Sequence, residues 1–599
     1  MYRALLLLLL FAYTGKVVAQ NQSLALQYYR SSQYEKAIEE LEGVYKKNKS
    51  LQIYNALLDS YQQIKQFDEA NKLIKKQIKA TGGSLSFEID KGHNTYLAGD
   101  EKESQKIFEA VVSSVHPPTN LILDIGNKFY SLKHYNWAEK VFVNGAKQLN
   151  NEYSFAFELG EVYAAIGNLI KMSYAIVGAL EYGPNYLEQV KNAISTKLYG
   201  DDNGKIRKVF TSTTLDFVQK NPNAYQYLEL LIWLNLLGQN FEMAFIYSKS
   251  LDKRLSEDGR RLIDLAQKAR NNESFDIAAD CYNYVLQQKS NNNYYYRIAR
   301  VQLVNVLKEK QQLSAYLSEG DITALKLAYE SAIKEIGKNE LTAELIVDYA
   351  NLLAFNGEEQ GKAMTLLEEV ITNLRINERD RAAAKIEKAD ILVYQNDIWE
   401  AALLYGQVTS DFKNDPVGYE AKLKNAKAYY YVGDFDCAKT QLDVLKGGTT
   451  KFIANDAMML SVLISDNLGM DTTTTALRMY ARADLMYYQN KMEASLMVLD
   501  SILQRFPNHV SILDEVCFLQ AKIFIKLKDF DQATLKLNKV VDYNDLLKDD
   551  ALMLLGELYE GPLNDKEKAM AVYEKLIVDF SDSVYSAIAR RRYRALRGD

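Results

Sequence analysis

The chain has 599 residues, 48% apolar and 25% charged, which supplies material for large cores and excludes wholesale disorder. Only 7 Pro and 29 Gly occur, so collagen-like and Pro-rich linker architectures are excluded as well. A net charge of −6 offers no bulk attraction to nucleic acid or anionic lipid, and no nucleic-acid partner is expected.

Arg3 precedes the apolar run from Ala4 to Ala12, and Val17-Val18-Ala19-Gln20 follows. This is the pattern of a secretory signal peptide over residues 1–19, cleaved after Ala19. The run is shorter than the roughly 20 residues that cross a bilayer. Later candidates are all interrupted by Lys, Asp, Glu or Asn, so no direct transmembrane segment is expected in the mature chain. No Cys lies near the cleavage site to carry a lipid anchor. Cys281, Cys437 and Cys517 are odd in number and far apart, unlike a disulfide framework or a metal cluster, and read as small buried helix residues.

From Gln22 onward apolar residues recur at spacings of three and four, the period of one helix face. Residues 20–184 form an N-terminal array. Ala25, Tyr28, Tyr34, Ala37 and Leu41 open it, and Leu58, Gly92, Gly126 and Gly160 then follow one another at intervals of 34. Within one interval Gly126, Phe129, Ala138 and Phe142 mark two helices joined by a short polar turn. Residues 185–340 are less regular, with breaks at Gly183-Pro184 and 200–204, but Ala244 and Ala278 restore the 34-residue interval. Residues 341–582 carry a second array through Ala350, Ala389, Ala401, Ala426, Tyr429, Ala438, Ala483, Ala521, Phe524 and Ala533, its spacing shifted by short insertions. Gly556, Tyr559, Ala569, Tyr573 and Ile577 make its last unit. Residues 583–599 predict a capping helix with a basic tail of Arg590, Arg591, Arg592, Arg594 and Arg597. About 12 to 14 units are expected by this pattern.

The period and the placement of small and aromatic residues resemble the tetratricopeptide repeat family. The resemblance implies an all-α solenoid of antiparallel helix pairs in a curved superhelical array. One small residue lets the two helices approach, an aromatic fills the space between them, and a second small residue admits the next helix. Gly126, Phe129 and Ala138 match those roles, and Gly160 and Tyr163 match the first two, with Met172 in place of the second small residue. Each pair alone leaves an apolar side open, so stacking supplies the stability. A polar residue at Phe129 or Tyr429 is therefore expected to do more damage than a change at the neighbouring Lys128. The ending from Ile577 to Tyr585, with Arg505-Phe506-Pro507-Asn508 as an earlier relative, resembles repeat endings of bacterial envelope tetratricopeptide repeat proteins.

These readings point to a non-catalytic protein-protein interaction scaffold in the bacterial cell envelope. It would be exported to the periplasm, peripheral to the outer membrane through a partner, and would recruit or brace an outer-membrane assembly or secretion complex. The expected partners are envelope proteins or peptide segments. The alternative is a helical envelope enzyme such as a glycoside hydrolase with dispersed carboxylates. His93, His116, His134 and His509 form no HExxH or Cys–His pattern, and the first three are expected near turns. No nucleophile elbow or phosphate-binding Gly-rich loop occurs. No catalytic, cofactor-binding or metal-ligating residue is nominated, no cofactor is expected, and the binding surface is not assigned to particular residues. Of the tyrosine triplets 294–296 and 429–431, at least one member each is expected to face solvent or another surface.

Overall fold

The computed structural model describes residues 22–150, 152–288, 293–312, 319–447, 450–470, 474–507, 509–542 and 547–598. The expected signal peptide and its cleavage site lie outside the described residues. Among the described residues every regular element is a helix. The chain falls into two compact units, one ending at Glu257 and one beginning at Asp258. The boundary lies inside the less regular stretch 185–340.

The first unit pairs α1 (22–30) with α2 (Tyr34–Lys47), α3 (Leu51–Gln63) with α4 (Phe67–Ala80), and α5 (Leu85–Leu97) with α6 (Glu101–Ser114). It continues with α7 (Thr119–Ser131) and α8 (Tyr135–Gln148), then α9 (Ala156–Ala165) and α10 (Leu169–Gly178). It closes with α11 (Leu187–Leu198) and α12 (Lys205–Lys220), then α13 (Tyr225–Leu237) and α14 (Phe241–Leu255).

The second unit opens with α15 (Arg260–Asn271) and α16 (Phe275–Gln288), α17 (Tyr294–Gln312) and α18 (Glu319–Ile336), and α19 (Ala343–Phe355) and α20 (Gln360–Thr372). Next come α21 (Glu378–Tyr394) and α22 (Ile398–Asp411), and α23 (Pro416–Val432) and α24 (Phe435–Leu445). A single helix, α25 (Lys451–Met470), interrupts the alternation. It is followed by α26 (Thr475–Tyr488) and α27 (Met492–Arg505), α28 (Val510–Lys526) and α29 (Phe530–Asp542), and α30 (Lys548–Glu560) and α31 (Lys566–Asp579). The terminal helix is α32 (Ser586–Arg597), three residues later at its start than the sequence pattern predicts. Each unit is an all-α stack of repeated helix pairs, as the 34-residue interval requires.

The small residues act as the sequence pattern implies. A Cβ on Gly92 would sit 2.4 Å from the Phe108 ring, one on Gly126 2.3 Å from Phe142, and one on Gly556 2.3 Å from Tyr573. In each case the first helix presents bare backbone to an aromatic of its second helix. The fourth residue of most second helices is a fully buried alanine, as at Ala37, Ala70, Ala138, Ala278, Ala401, Ala438 and Ala569. Where serine replaces it, the buried hydroxyl donates to the preceding first helix: Ser104 Oγ to Gly92 O at 2.8 Å, and Ser495 Oγ to Ala483 O at 2.7 Å. That bond satisfies the polar group which burial would otherwise penalise. The unbranched Met172 side chain fills the same position and is also buried.

Among the described residues, the turn inside most pairs has a fixed backbone signature, α11–α12 departing with Gly204 one position before its second helix. A residue at positive φ stands two positions before the second helix, at Ser32, Lys65, Gly99, Lys133, Gly167 and Gln239 in the first unit. Glu273, Asn396, Gly433, Asn490 and Lys528 take that place in the second. One left-handed residue reverses the chain with no spare length, which keeps the two helices antiparallel and adjacent.

Three expectations are corrected and one, on Lys128, is refined. In the 429–431 triplet the fully buried ring is Tyr430, and Tyr429 is half-buried against the same core, while Ala426 is buried as expected. Phe129 is fully buried, but Lys128 beside it is no neutral bystander: its Nζ lies 2.7 Å from Oδ1 of the buried Asp90. His93 lies inside α5 rather than near a turn. Cys281 and Cys517 are buried, whereas Cys437 is exposed at the start of α24, because that position turns outward from the pair interface.

Candidate protein-interaction surface

In both units first helices pack on first helices. In the first unit α5 meets α7; in the second the chain of contacts runs α15, α17, α19, α21, α23, α26, α28. These successive helices build one face, and polar side chains 30 to 40 positions apart meet across it.

In the second unit this face carries a ladder from α15 to α23, with a further rung between α30 and α32. Arg270 on α15 grips Glu309 on α17, its Nε 2.6 Å from Oε2, and its Nη1 donates to Gln302 at 2.8 Å. Lys308 on α17 lies 2.5 Å from Asp348 on α19, and Asn351 Nδ2 donates to Glu387 on α21 at 2.9 Å. Lys424 on α23 lies 2.5 Å from Asp390 on α21. Arg592 on α32 bridges Glu557 and Glu560 on α30, both at 3.0 Å. Arg592 of the basic tail is thus a packing residue, while Arg590, Arg591 and Arg594 remain exposed. In the first unit Asp90 is held from both sides, by the Tyr54 hydroxyl at 3.0 Å and by Lys128, and Lys197 on α11 reaches Glu161 on α9 at 2.6 Å.

Burial shifts the titration of these groups. Glu387 is pushed up to about 7, first by desolvation and then by the charge of Asp390. Burial opposes the charge of Lys424, but Asp390, Glu420 and Glu387 outweigh it and hold the ammonium above its ordinary range. The close approach of Glu387 and Asp390 superficially resembles an acid–base pair. Asp390, however, is occupied by Lys424 on one oxygen and by the Tyr405 hydroxyl on the other, which leaves it tied up as a structural anion. Among the described residues no group of three or more His, Cys, Asp or Glu is placed to hold a metal ion.

Helix α25 lies across this face. Besides α24 it packs on the three first helices α23, α26 and α28. Its stripe of Ala457, Ser461, Ile464 and Asn467 is almost fully buried. Ser461 Oγ donates to Asp443 on α24 at 3.3 Å, and Asn467 Nδ2 to Ser511 O on α28 at 3.3 Å. On one flank α25 closes a groove of about 270 Å³ with Lys427, Tyr480, Asp484, Phe518 and Lys522. There desolvation raises the carboxyl of Asp484 against the pull of Lys427 and Lys522, and the same burial lowers the Lys522 ammonium. On the other flank a groove of about 620 Å³ runs between α25 and the α31–α32 turn. In that turn the Tyr585 hydroxyl donates to Asp550 Oδ1 at 2.8 Å and Ser586 Oγ to Phe580 O at 2.6 Å. The Ile577–Tyr585 ending thereby folds the terminal helix back onto the stack.

The histidines separate. His93 Nδ1 lies 2.9 Å from His134 Nε2 with the two rings edge-on, and the His134 ring also packs on Tyr96 and Phe108. Burial first, then His134 and Lys128, lowers His93 to about 4, so the pair is neutral at physiological pH. Of the tyrosine triplet 294–296, Tyr294 is largely exposed.

Stacked helix pairs with polar cross-helix contacts and open grooves define an all-α repeat protein. A tetratricopeptide repeat family model matches residues 550–583, the stretch that holds α30 and α31 with Gly556, Tyr559, Ala569, Tyr573 and Ile577. No curated protein matches the chain. Among solved structures, one of Naa15/Naa10 bound to HypK-THB is 13% identical, covering 97% of this chain and 96% of that one with a TM-score of 0.24. A crystal structure of the APC/C hetero-tetramer Cut9-Hcn1 is 12% identical, covering 96% of each chain with a TM-score of 0.22.

Proposed function

We propose that the chain is a non-catalytic scaffold that gathers proteins or peptide segments on the faces built by its first helices. Its working place is the bacterial envelope: exported to the periplasm, it recruits or braces components of an outer-membrane assembly or secretion complex. The observation that carries the scaffold reading is the ladder of cross-helix pairs, which fixes the first helices relative to their neighbours and so presents groups at set intervals along each unit. A surface ordered in advance lowers the entropic cost of holding a flexible partner. The apolar run Ala4–Ala12 before Val17-Val18-Ala19 supports export, and the Ile577–Tyr585 ending supports the envelope.

The test is in-cell crosslinking and affinity isolation of the full chain from a bacterial host envelope, with N-terminal sequencing of the recovered protein. The expected result is a mature N-terminus at Gln20 and reproducible recovery of one membrane-associated complex. An intact first segment on a cytosolic chain overturns the export reading, and turnover of an envelope glycan without protein partners overturns the scaffold reading.

A further inference from the structure

The larger groove beside α25 differs in charge from the rest of the ladder. Elsewhere on the first-helix face of the second unit anions meet cations, as in Lys308–Asp348, Lys424–Asp390 and Arg592–Glu557. Among the described residues, the 620 Å³ groove is lined by Asp549, Asp550, Asp579 and Asp582 and by no lysine or arginine. Among the described residues none of the four stands in an ion pair within 4 Å. Asp549 accepts only the backbone N–H of Asp550, and Asp550 accepts the Tyr585 hydroxyl.

Between the carboxylates the groove is apolar. Met458, Met459 and Val462 of α25 form one wall, and Phe580 and Val584 lie on the other. Met458 and Val584 are 52% and 44% exposed, so apolar surface stands open in the groove. The carboxylates are spread along the groove and make no group that could hold a metal ion. Distributed anions around an apolar floor complement distributed cations on an apolar backbone, not a single point charge.

We propose that this groove binds a basic amphipathic segment of a partner protein, with Lys or Arg side chains on Asp549, Asp579 and Asp582 and apolar side chains against Met458, Met459 and Val584. Each incoming cation neutralises a carboxylate that the chain itself leaves unmatched, and each apolar side chain covers surface now open to water. Burial and then the charge of Asp549 raise the Asp550 carboxyl against the Tyr585 hydrogen bond and the more distant Lys522. Helix α25 is the element that makes the site, since without it the Asp549–Asp582 side of the groove has no opposite wall. The proposal rests on the scaffold reading and names the chemistry of one partner segment.

The probe is a fluorescently labelled amphipathic peptide of Lys and Leu at helical spacing, titrated with the full mature chain by anisotropy. A peptide with Glu in place of Lys is the counterpart. The basic peptide is expected to bind and the acidic one not, with affinity falling as salt rises. The triple variant Asp549→Asn, Asp579→Asn, Asp582→Asn is expected to weaken binding by about tenfold or more, from the loss of three partly exposed charge pairs. Removing two exposed acids elsewhere, Asp68→Asn with Glu69→Gln on α4, is expected to leave it unchanged. Met458→Ala tests the apolar wall, with a smaller loss expected. The proposal is overturned if the triple variant, shown by circular dichroism to be folded, binds as well as the parent. It is equally overturned if the α4 variant loses as much, which would make the attraction non-specific. Affinity isolation with the triple variant separates this site from the wider reading: unchanged recovery of the complex rejects the groove and keeps the scaffold, whereas recovery by neither protein rejects the scaffold.

Discussion

Lys424 Nζ lies 2.5 Å from Asp390 Oδ2, on the next first helix and 34 positions away in sequence. The local repeat interval is 37, as from Ala401 to Ala438, so the pair joins sites three residues out of register on neighbouring units. Attraction between buried charges is largely cancelled by their desolvation, but removing one partner strands the other. Lys424→Met is expected to destabilise the chain by about 3 kcal/mol. Adding Asp390→Asn should recover much of that loss, because the amide carries no charge to desolvate. Urea unfolding of the two variants against the parent checks both.

Gly126 and Gly406 make opposite predictions from the same substitution. A Cβ at Gly126 meets the Phe142 ring at 2.3 Å, so Gly126→Ala forces the pair apart at an expected cost of about 1–3 kcal/mol. Gly406, within α22, has open space around the same position, and Gly406→Ala is expected to gain about 0.5–1 kcal/mol from helix propensity. Thermal unfolding of the two variants should move in opposite directions.

The His93–His134 pair makes the first unit sensitive to acid. The folded chain holds His93 near 4, while the unfolded chain binds the proton from about 6.5. Between these values the unfolded state carries more protons, so stability is full above pH 6.5 and falls as pH drops towards 4. Hydrogen exchange of the full chain should show α5 and α8 losing protection between pH 7 and pH 4.5. His93→Gln, neutral throughout, should flatten the His93 part of that dependence. An unchanged slope in the variant would assign the effect to other groups.

Glu387 works with the opposite sign. Its folded pKa of about 7 exceeds the ordinary 4.5, so folding takes up a proton between those values and the stabilisation is lost as pH rises through 7. Glu387→Gln keeps an oxygen to accept from Asn351 and removes the buried charge. It is expected to stabilise the chain at pH 8 by on the order of 1 kcal/mol, allowing for water at the groove, and to change little at pH 4. Denaturant melts at the two pH values check it.

The helix pairs were legible because their signal is local. Gly126, Phe129 and Ala138 recur with their equivalents at a fixed interval, and the geometry of two short helices allows few other uses for such residues. The inserted helix α25 left only a shift in spacing, since a helical period of its own says nothing about which face it will cover. The tyrosine triplet in α23 did not show which ring would be fully buried, because three adjacent rings fit several helix phases and only packing against α24 and α26 selects Tyr430.

The sequence by itself determined an all-α chain of repeated pairs and the identity of the small and aromatic residues that close each pair, because both follow from contacts within about one interval. Tertiary structure alone decided that Lys128 would neutralise Asp90, that His93 would meet His134, and that α25 would turn a row of aspartates into a walled groove. Those outcomes depend on how one pair is rotated on the next, and a small rotation that hardly alters the apolar pattern changes which polar side chains come within hydrogen-bonding reach.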